Sequence, residues 1–214
     1  MKRLIEFSIG LILLLLAGCV TSDSGLNSYV DPIFNLSKIN KIALFPMENS
    51  DFSFSEERIL DTKVIAALHS KNPELEIMSS YTTINLLNAY NLTQVWSNYL
   101  YNYDSSGLQS KHDLFLSWET LKIDAILFGE IVGIHKVDGR DDLFAIDDVH
   151  GGNQGLTKVT VKYRMLSTNE AKIVWESTCD GIKKTREIEV SAPPVIDAVK
   201  LAVDIIFTNL PPQE

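Results

Sequence analysis

Residues 123–134 read IDAILFGEIVGI, and residues 156–166 read LTKVTVKYRML. The first is a nearly unbroken apolar run, the pattern of a strand covered on both faces. The second alternates polar and apolar residues, so one of its faces is wet and the other buried. The two should pair antiparallel. KIVWESTCDG at 172–181 then returns through a turn at Ser167 to Glu170 as a third strand, which makes a three-strand meander the centre of the predicted fold.

Working outward from that meander, KIALFP at 41–46 is a short apolar run closed by proline, again a buried strand. Ser53 and Glu56 have capping-box spacing, and Leu60, Val64 and Leu68 then fall on one side of a helix expected to end near Lys71. ELEIMS after Asn72 and Pro73 predicts a second strand. Ile84 and Leu87 stripe a further helical segment, Thr93 is placed to cap the next, and DSSG at 104–107 interrupts it. Leu114, Trp118 and Leu121 mark a third segment before the meander. On the other side, Pro193 and Pro194 open an amphipathic helix with Ile196, Val199, Val203, Ile206 and Leu210 on one face. The order predicts a single α/β (α+β) domain: a mixed sheet flanked by helices, with a C-terminal antiparallel meander.

Two features point to possible sites. The aromatic group Trp96, Tyr99, Tyr101, Tyr103 and Trp118 reads either as a ligand-stacking surface or as core; its inward members are assigned to the core and Tyr101 to the outside. The connection VDGRDDLFAIDDVHGGNQG at 137–155 carries five aspartates and four glycines, far longer than the two to five residues of an ordinary hairpin loop. Asp141, Asp142, Asp147 and Asp148 crowd it. Paired carboxylates there would raise one another's pKa, or gather around calcium, but a solvated loop is the simpler reading.

No other constellation supports chemistry. The histidines at 69, 112, 135 and 150 lack HExxH or other ligand spacing. Gly151, Gly152 and Gly155 are not followed by a helix, as a phosphate cradle requires, and read as hinge residues. Neither a nucleophile elbow nor a catalytic cysteine arrangement occurs. Cys179 sits in an alternating strand, where a packed thiol is expected. The reading is therefore non-enzymatic, with no cofactor and no metal.

At the N-terminus, Lys2 and Arg3 precede an apolar run from Phe7 to Leu16, then Ala17, Gly18 and Cys19. That order is a secretory signal, and the run is too short to span ~30 Å of hydrocarbon. LAGC at 16–19 resembles the lipobox of bacterial lipoproteins. The resemblance implies cleavage before Cys19, acylation of that cysteine by chains such as palmitate, and, with Val20 rather than Asp next, sorting to the outer membrane with the domain on its periplasmic face. Residues 1–18 are thus expected to be a signal peptide, 19–37 a lipidated flexible tether, and 38–214 one periplasmic domain. Loss of residues 1–18 removes Lys2, Arg3 and Glu6, leaving 17 basic and 27 acidic residues and a net charge of −10. Such a chain is repelled by phosphate backbones, so nucleic acid is excluded as a partner and the membrane is reached through lipid. An acylated Cys19 also leaves Cys179 with no disulfide partner.

KIALFPMENSD at 41–51, IDAILFGEIVGI at 123–134 and YRMLSTNEAKIVWEST at 163–178 resemble, in this order, envelope lipoproteins related to the penicillin-binding-protein activator LpoB and the curli secretion lipoprotein CsgG. Asn49, Gly129 and Trp175 correspond to recurrent positions of that pattern. The resemblance implies a domain similar to the TolB N-terminal and anticodon-binding-like fold, working by binding other proteins. The 138–155 insertion is too short and too acidic to supply the transmembrane hairpins of a curli-type pore, which need ~9–11 residues per strand.

Together these features predict a lipid-anchored adaptor or activator that docks onto an envelope protein, either a peptidoglycan synthase or a secretion or surface-assembly component. Contacts are expected from Tyr101 and from Asp141, Asp142, Asp147 and Asp148, since loops and exposed aromatics are enriched in interfaces. The alternatives are a ring-forming homo-oligomeric assembly lipoprotein and a metal-dependent enzyme using the aspartate loop.

Overall fold

A computed structural model describes residues 25–48, 50–106, 118, 121–139, 155–185 and 191–211. In chain order the elements are β1 (Asn27–Val30), β2 (Lys41–Leu44), α1 (Phe54–Lys71), β3 (Glu76–Met78), α2 (Ser80–Ala89), α3 (Thr93–Ser106), β4 (Ala125–Val137), β5 (Leu156–Ser167), β6 (Lys172–Lys184) and α4 (Val195–Thr208). They build one mixed six-stranded sheet in the order β1-β6-β5-β4-β2-β3. β2 runs parallel to both β3 and β4, whereas β4, β5, β6 and β1 pair antiparallel.

Local chemistry explains the boundaries. The Ser53 side chain accepts from the Glu56 backbone N–H while the Glu56 carboxylate accepts from Ser53 N–H, a complete capping box that satisfies the first turn of α1. Apolar side chains then pack both faces of the sheet. Leu60, Val64 and Leu68 of α1 join Ala198, Val199, Ala202, Val203 and Ile206 of α4 over one face. Leu87, Trp96, Tyr99 and Trp118 cover Ala43, Ile126, Phe128 and Leu166 on the other. The Trp96 ring stacks on Phe45 at 4.1 Å between centroids and on Tyr99 at 5.4 Å.

Two expectations change. Among the described residues, regular structure begins at Asn27 rather than Lys41, because residues 27–30 pair with β6 from Trp175 to Thr178, and Leu36 is buried in the core. β6 would otherwise expose a long row of unpaired backbone groups, and the chain that leads into the domain covers the middle of that edge, from Trp175 to Thr178. The C-terminal part of the expected 19–37 tether is thereby part of the sheet. Thr93 does not cap α3; it is its first helical residue, and its hydroxyl donates to the Asn88 side chain at 2.8 Å. Leu114, Asn49, Gly151 and Gly152 lie outside the described residues.

Close approach accounts for two glycines. At Gly181 of β6 a methyl group would overlap the Ala198 carbonyl of α4, so only glycine lets the helix lie this near the strand. At Gly155 it would come within 2.5 Å of the Ser191 carbonyl oxygen, where the chain turns into α4.

Candidate interaction surface

The meander strands are 12 or 13 residues long, and on the α2–α3 side the outer part of β5 is only half-buried. Along β5 the pattern of half-buried and buried residues alternates strictly from Leu156 to Tyr163. Val159, Val161 and Tyr163 face α4, and Lys158, Thr160 and Lys162 face outward on the same side as Arg164.

Register sets the partners on that outer face. Arg164 is opposite Phe128 on β4 and Glu176 on β6. Its guanidinium lies 2.7 Å from the Glu130 carboxylate, 3.3 Å from Glu176, and 5.6 Å from the Phe128 ring centre. Lys162 approaches Glu130 at 3.8 Å. Further along, Asp180 takes a 2.7 Å ion pair from Lys158 and a 2.6 Å hydrogen bond from the Thr160 hydroxyl. Burial alone would raise the Asp180 carboxyl, but these partners outweigh it and hold it below the usual range. Charges of both signs are thus matched across the strands, giving a polar, internally paired surface rather than a field of one sign.

Two carboxylates on α1 sit differently. Glu57 and Asp61 share the stripe of Leu60, Val64 and Leu68 and turn toward the sheet. Burial pushes the Asp61 carboxyl up, against hydrogen bonds from the Ser80 backbone N–H at 2.9 Å and hydroxyl at 2.7 Å. It therefore satisfies the N-terminus of α2. Glu57 is likewise raised by burial while accepting from Met47 N–H at 3.3 Å and the Ser50 hydroxyl at 3.1 Å. Both also add to the burial that pushes the Tyr163 phenol well above its usual range. These groups fasten the β2–α1 loop and α2. Sequence reading passed over them, although the i, i+3, i+4 spacing of 57, 60, 61 and 64 was a signal that they lie on the buried stripe.

Beside Glu56, an open groove of about 370 Å³ runs between the 50–52 loop, β4 and α4, with Phe52, Ile131, Ile134 and Ile196 in its wall together with Asp51 and Lys136. Its groups do not converge on a point where a reacting atom could be held. Among the described residues, no cluster of three or more His, Cys, Asp or Glu is placed to hold a metal ion. His69 bonds the Leu75 carbonyl oxygen at 2.9 Å, and His135 is exposed on β4.

Of the residues expected to act, Tyr101 lies on α3 and is 74% exposed, while its neighbours Trp96 and Tyr99 are buried. Cys19, Asp141, Asp142, Asp147 and Asp148 lie outside the described residues. Cys179 is a fully buried thiol in the core. Trp175 is also fully buried and packs against Phe207 at 5.8 Å. Gly129 faces Tyr163 and Met47 so closely that a methyl group there would come within 2.8 Å of the tyrosine ring. No helix among the described residues is long and apolar enough to cross a membrane.

No family model matches the chain, and no curated protein matches it. Solved structures similar to it include the PelC dodecamer from Paraburkholderia phytofirmans, at 11% identity and a TM-score of 0.44, covering 89% of this chain and 99% of that one. Lipoprotein GNA1162 from Neisseria meningitidis is similar at 12% identity and a TM-score of 0.41, covering 79% and 99%. The LpoB C-terminal domain from Escherichia coli is similar at 10% identity and a TM-score of 0.35, covering 68% and 90%.

Proposed function

We propose that this protein is a lipid-anchored, non-enzymatic adaptor on the periplasmic face of the outer membrane, held there through Cys19 and acting by docking onto another envelope protein. The observation that carries the docking part is the outer face of the meander. Its ion pairs are already satisfied within the chain, so it offers a rigid surface to a large partner instead of unpaired groups to a small substrate. The anchor part rests on the signal-like order of residues 1–19 and the LAGC box. Tyr101 and the aspartates at 141, 142, 147 and 148 are the proposed contact residues, with a peptidoglycan synthase or a secretion or assembly component as the class of partner.

In-cell crosslinking from position 101 and from the 138–155 connection, followed by mass spectrometry, tests this. One envelope protein captured from both positions, and lost in Tyr101→Ala, is the expected result. Capture of abundant porins alone contradicts it.

The second reading is a ring of identical copies, favoured by the same half-buried outer face of the long meander strands. Light scattering on the detergent-extracted chain separates the two: a closed ring supports it and a monomer rules it out.

A further inference from the structure

We propose that one end of the sheet, the rim formed by the last residues of β4 and β6, rests directly on the lipid bilayer; this builds on the reading that Cys19 is acylated. The geometry starts from Gly25, where the described chain begins. β1 pairs antiparallel with β6, Asn27 opposite Thr178, and a methyl group at Gly25 would lie 3.7 Å from the Asp180 carboxylate. Going backward along the chain, β1 therefore heads toward Lys184. Six residues separate Gly25 from Cys19, a reach of at most ~22 Å when fully extended.

That reach discriminates between the ends of the sheet. Lys184 is four residues beyond Asp180, roughly 13 Å along the strand, so Cys19 can reach past the rim. Lys172, at the opposite end of β6, is eight residues away in the other direction, roughly 26 Å, which exceeds the tether. The tether therefore holds this rim within about 9 Å of the membrane, and the domain cannot turn its far end to it.

The near end has the chemistry of an interfacial surface. Ile134, which also lines the groove beside α4, is 50% exposed, Val137 45% and Ile182 41%. Lys136, Lys183 and Lys184 are exposed beside them. Apolar side chains flanked by lysines are what a headgroup boundary accepts: the former enter the acyl edge, while the latter lay their stems along it and keep their ammonium groups among phosphates. Net charge does not select this end, because the connection that leaves it carries five aspartates. Tether length and exposed apolar side chains do.

The test uses the full acylated chain reconstituted into vesicles of phosphatidylethanolamine and phosphatidylglycerol. An environment-sensitive fluorophore is placed at V137C, at I182C and, as reference, at Y101C, each checked for wild-type melting; acylated Cys19 and buried Cys179 do not react. Vesicle flotation is scored on the same samples. We expect the samples to float, and iodide quenching of the label at 137 and 182 to fall several-fold on vesicles while that at 101 is unchanged. Flotation with rim labels as accessible as position 101 overturns this inference alone. Failure to float overturns the acylation reading and this inference with it. Shielding that persists without vesicles means the rim meets a second copy, and likewise overturns it.

Discussion

Arg164 on β5 places its guanidinium 2.7 Å from the Glu130 carboxylate on β4, and the arginine is only 7% exposed. Because Glu176 approaches the same guanidinium from β6 at 3.3 Å, one cation joins all three strands of the meander. Arg164→Met keeps most of the volume but takes away the charge between two carboxylates. Breaking a fully buried pair costs about 3–5 kcal/mol; here the Glu130 and Glu176 side chains are 22% and 35% exposed, so water screens part of the loss. We expect urea unfolding to show a loss of about 1–3 kcal/mol, with part regained in the double variant carrying Glu130→Gln.

Gly181 tests the packing of α4 on the sheet. Gly181→Ala forces a methyl group into the Ala198 carbonyl, and either the helix or the strand has to move. Overpacking of this kind costs about 1–3 kcal/mol. Gly133, where a methyl group meets nothing within 4 Å, is the control: Gly133→Ala should change the urea midpoint little.

The α1 carboxylates set a pH dependence. Burial raises Asp61 above its ordinary 3.8 and Glu57 above 4.5, so the folded chain takes up protons more readily than the unfolded one between those values and the raised ones. Their contribution to stability therefore grows as pH falls through that window. Asp61→Asn abolishes its share, so the stability of wild type relative to this variant should rise from neutral pH toward 3.8. Asp180, held below 3.8, acts oppositely: its contribution is present above 3.8 and lost as pH drops through its lower folded value. Urea titrations across the range check both signs.

Tyr101 separates docking from folding. It is 74% exposed, so Tyr101→Ala should shift stability by no more than about 0.5 kcal/mol. Partner capture should fall in that variant, and in the Asp141, Asp142, Asp147 and Asp148 to Asn variant. Equal capture with unchanged melting would remove these residues from the interface.

How much of this was legible beforehand follows from the periodicities. β4, β5, β6, α1 and α4 bury whole faces, so apolar spacing marks them, and the Ser53–Glu56 pair marks where α1 starts. β1 carries no such mark: NSYV is exposed at all four positions, and it is a strand only because β6 lies beside it. A propensity reading of residues 27–30 therefore yields a tether. The outer face was visible as alternation in LTKVTVKYRML, but its ion pairs depend on register between strands distant in sequence, which alternation does not specify. The buried carboxylates were hidden because Glu and Asp on a helix are ordinarily assigned to water. Tyr101 was placed outside by helical spacing, and the structure exposes it.

Attachment at Cys19 is the claim on which location, partner class and orientation all depend. Metabolic labelling with a clickable palmitate analogue, followed by purification and membrane fractionation of wild type and Cys19→Ser, tests it most directly. We expect label on the wild-type chain, none on the variant, and release of the variant from the membrane fraction. A wild-type chain that carries no label, or a serine variant that fractionates unchanged, would contradict the account.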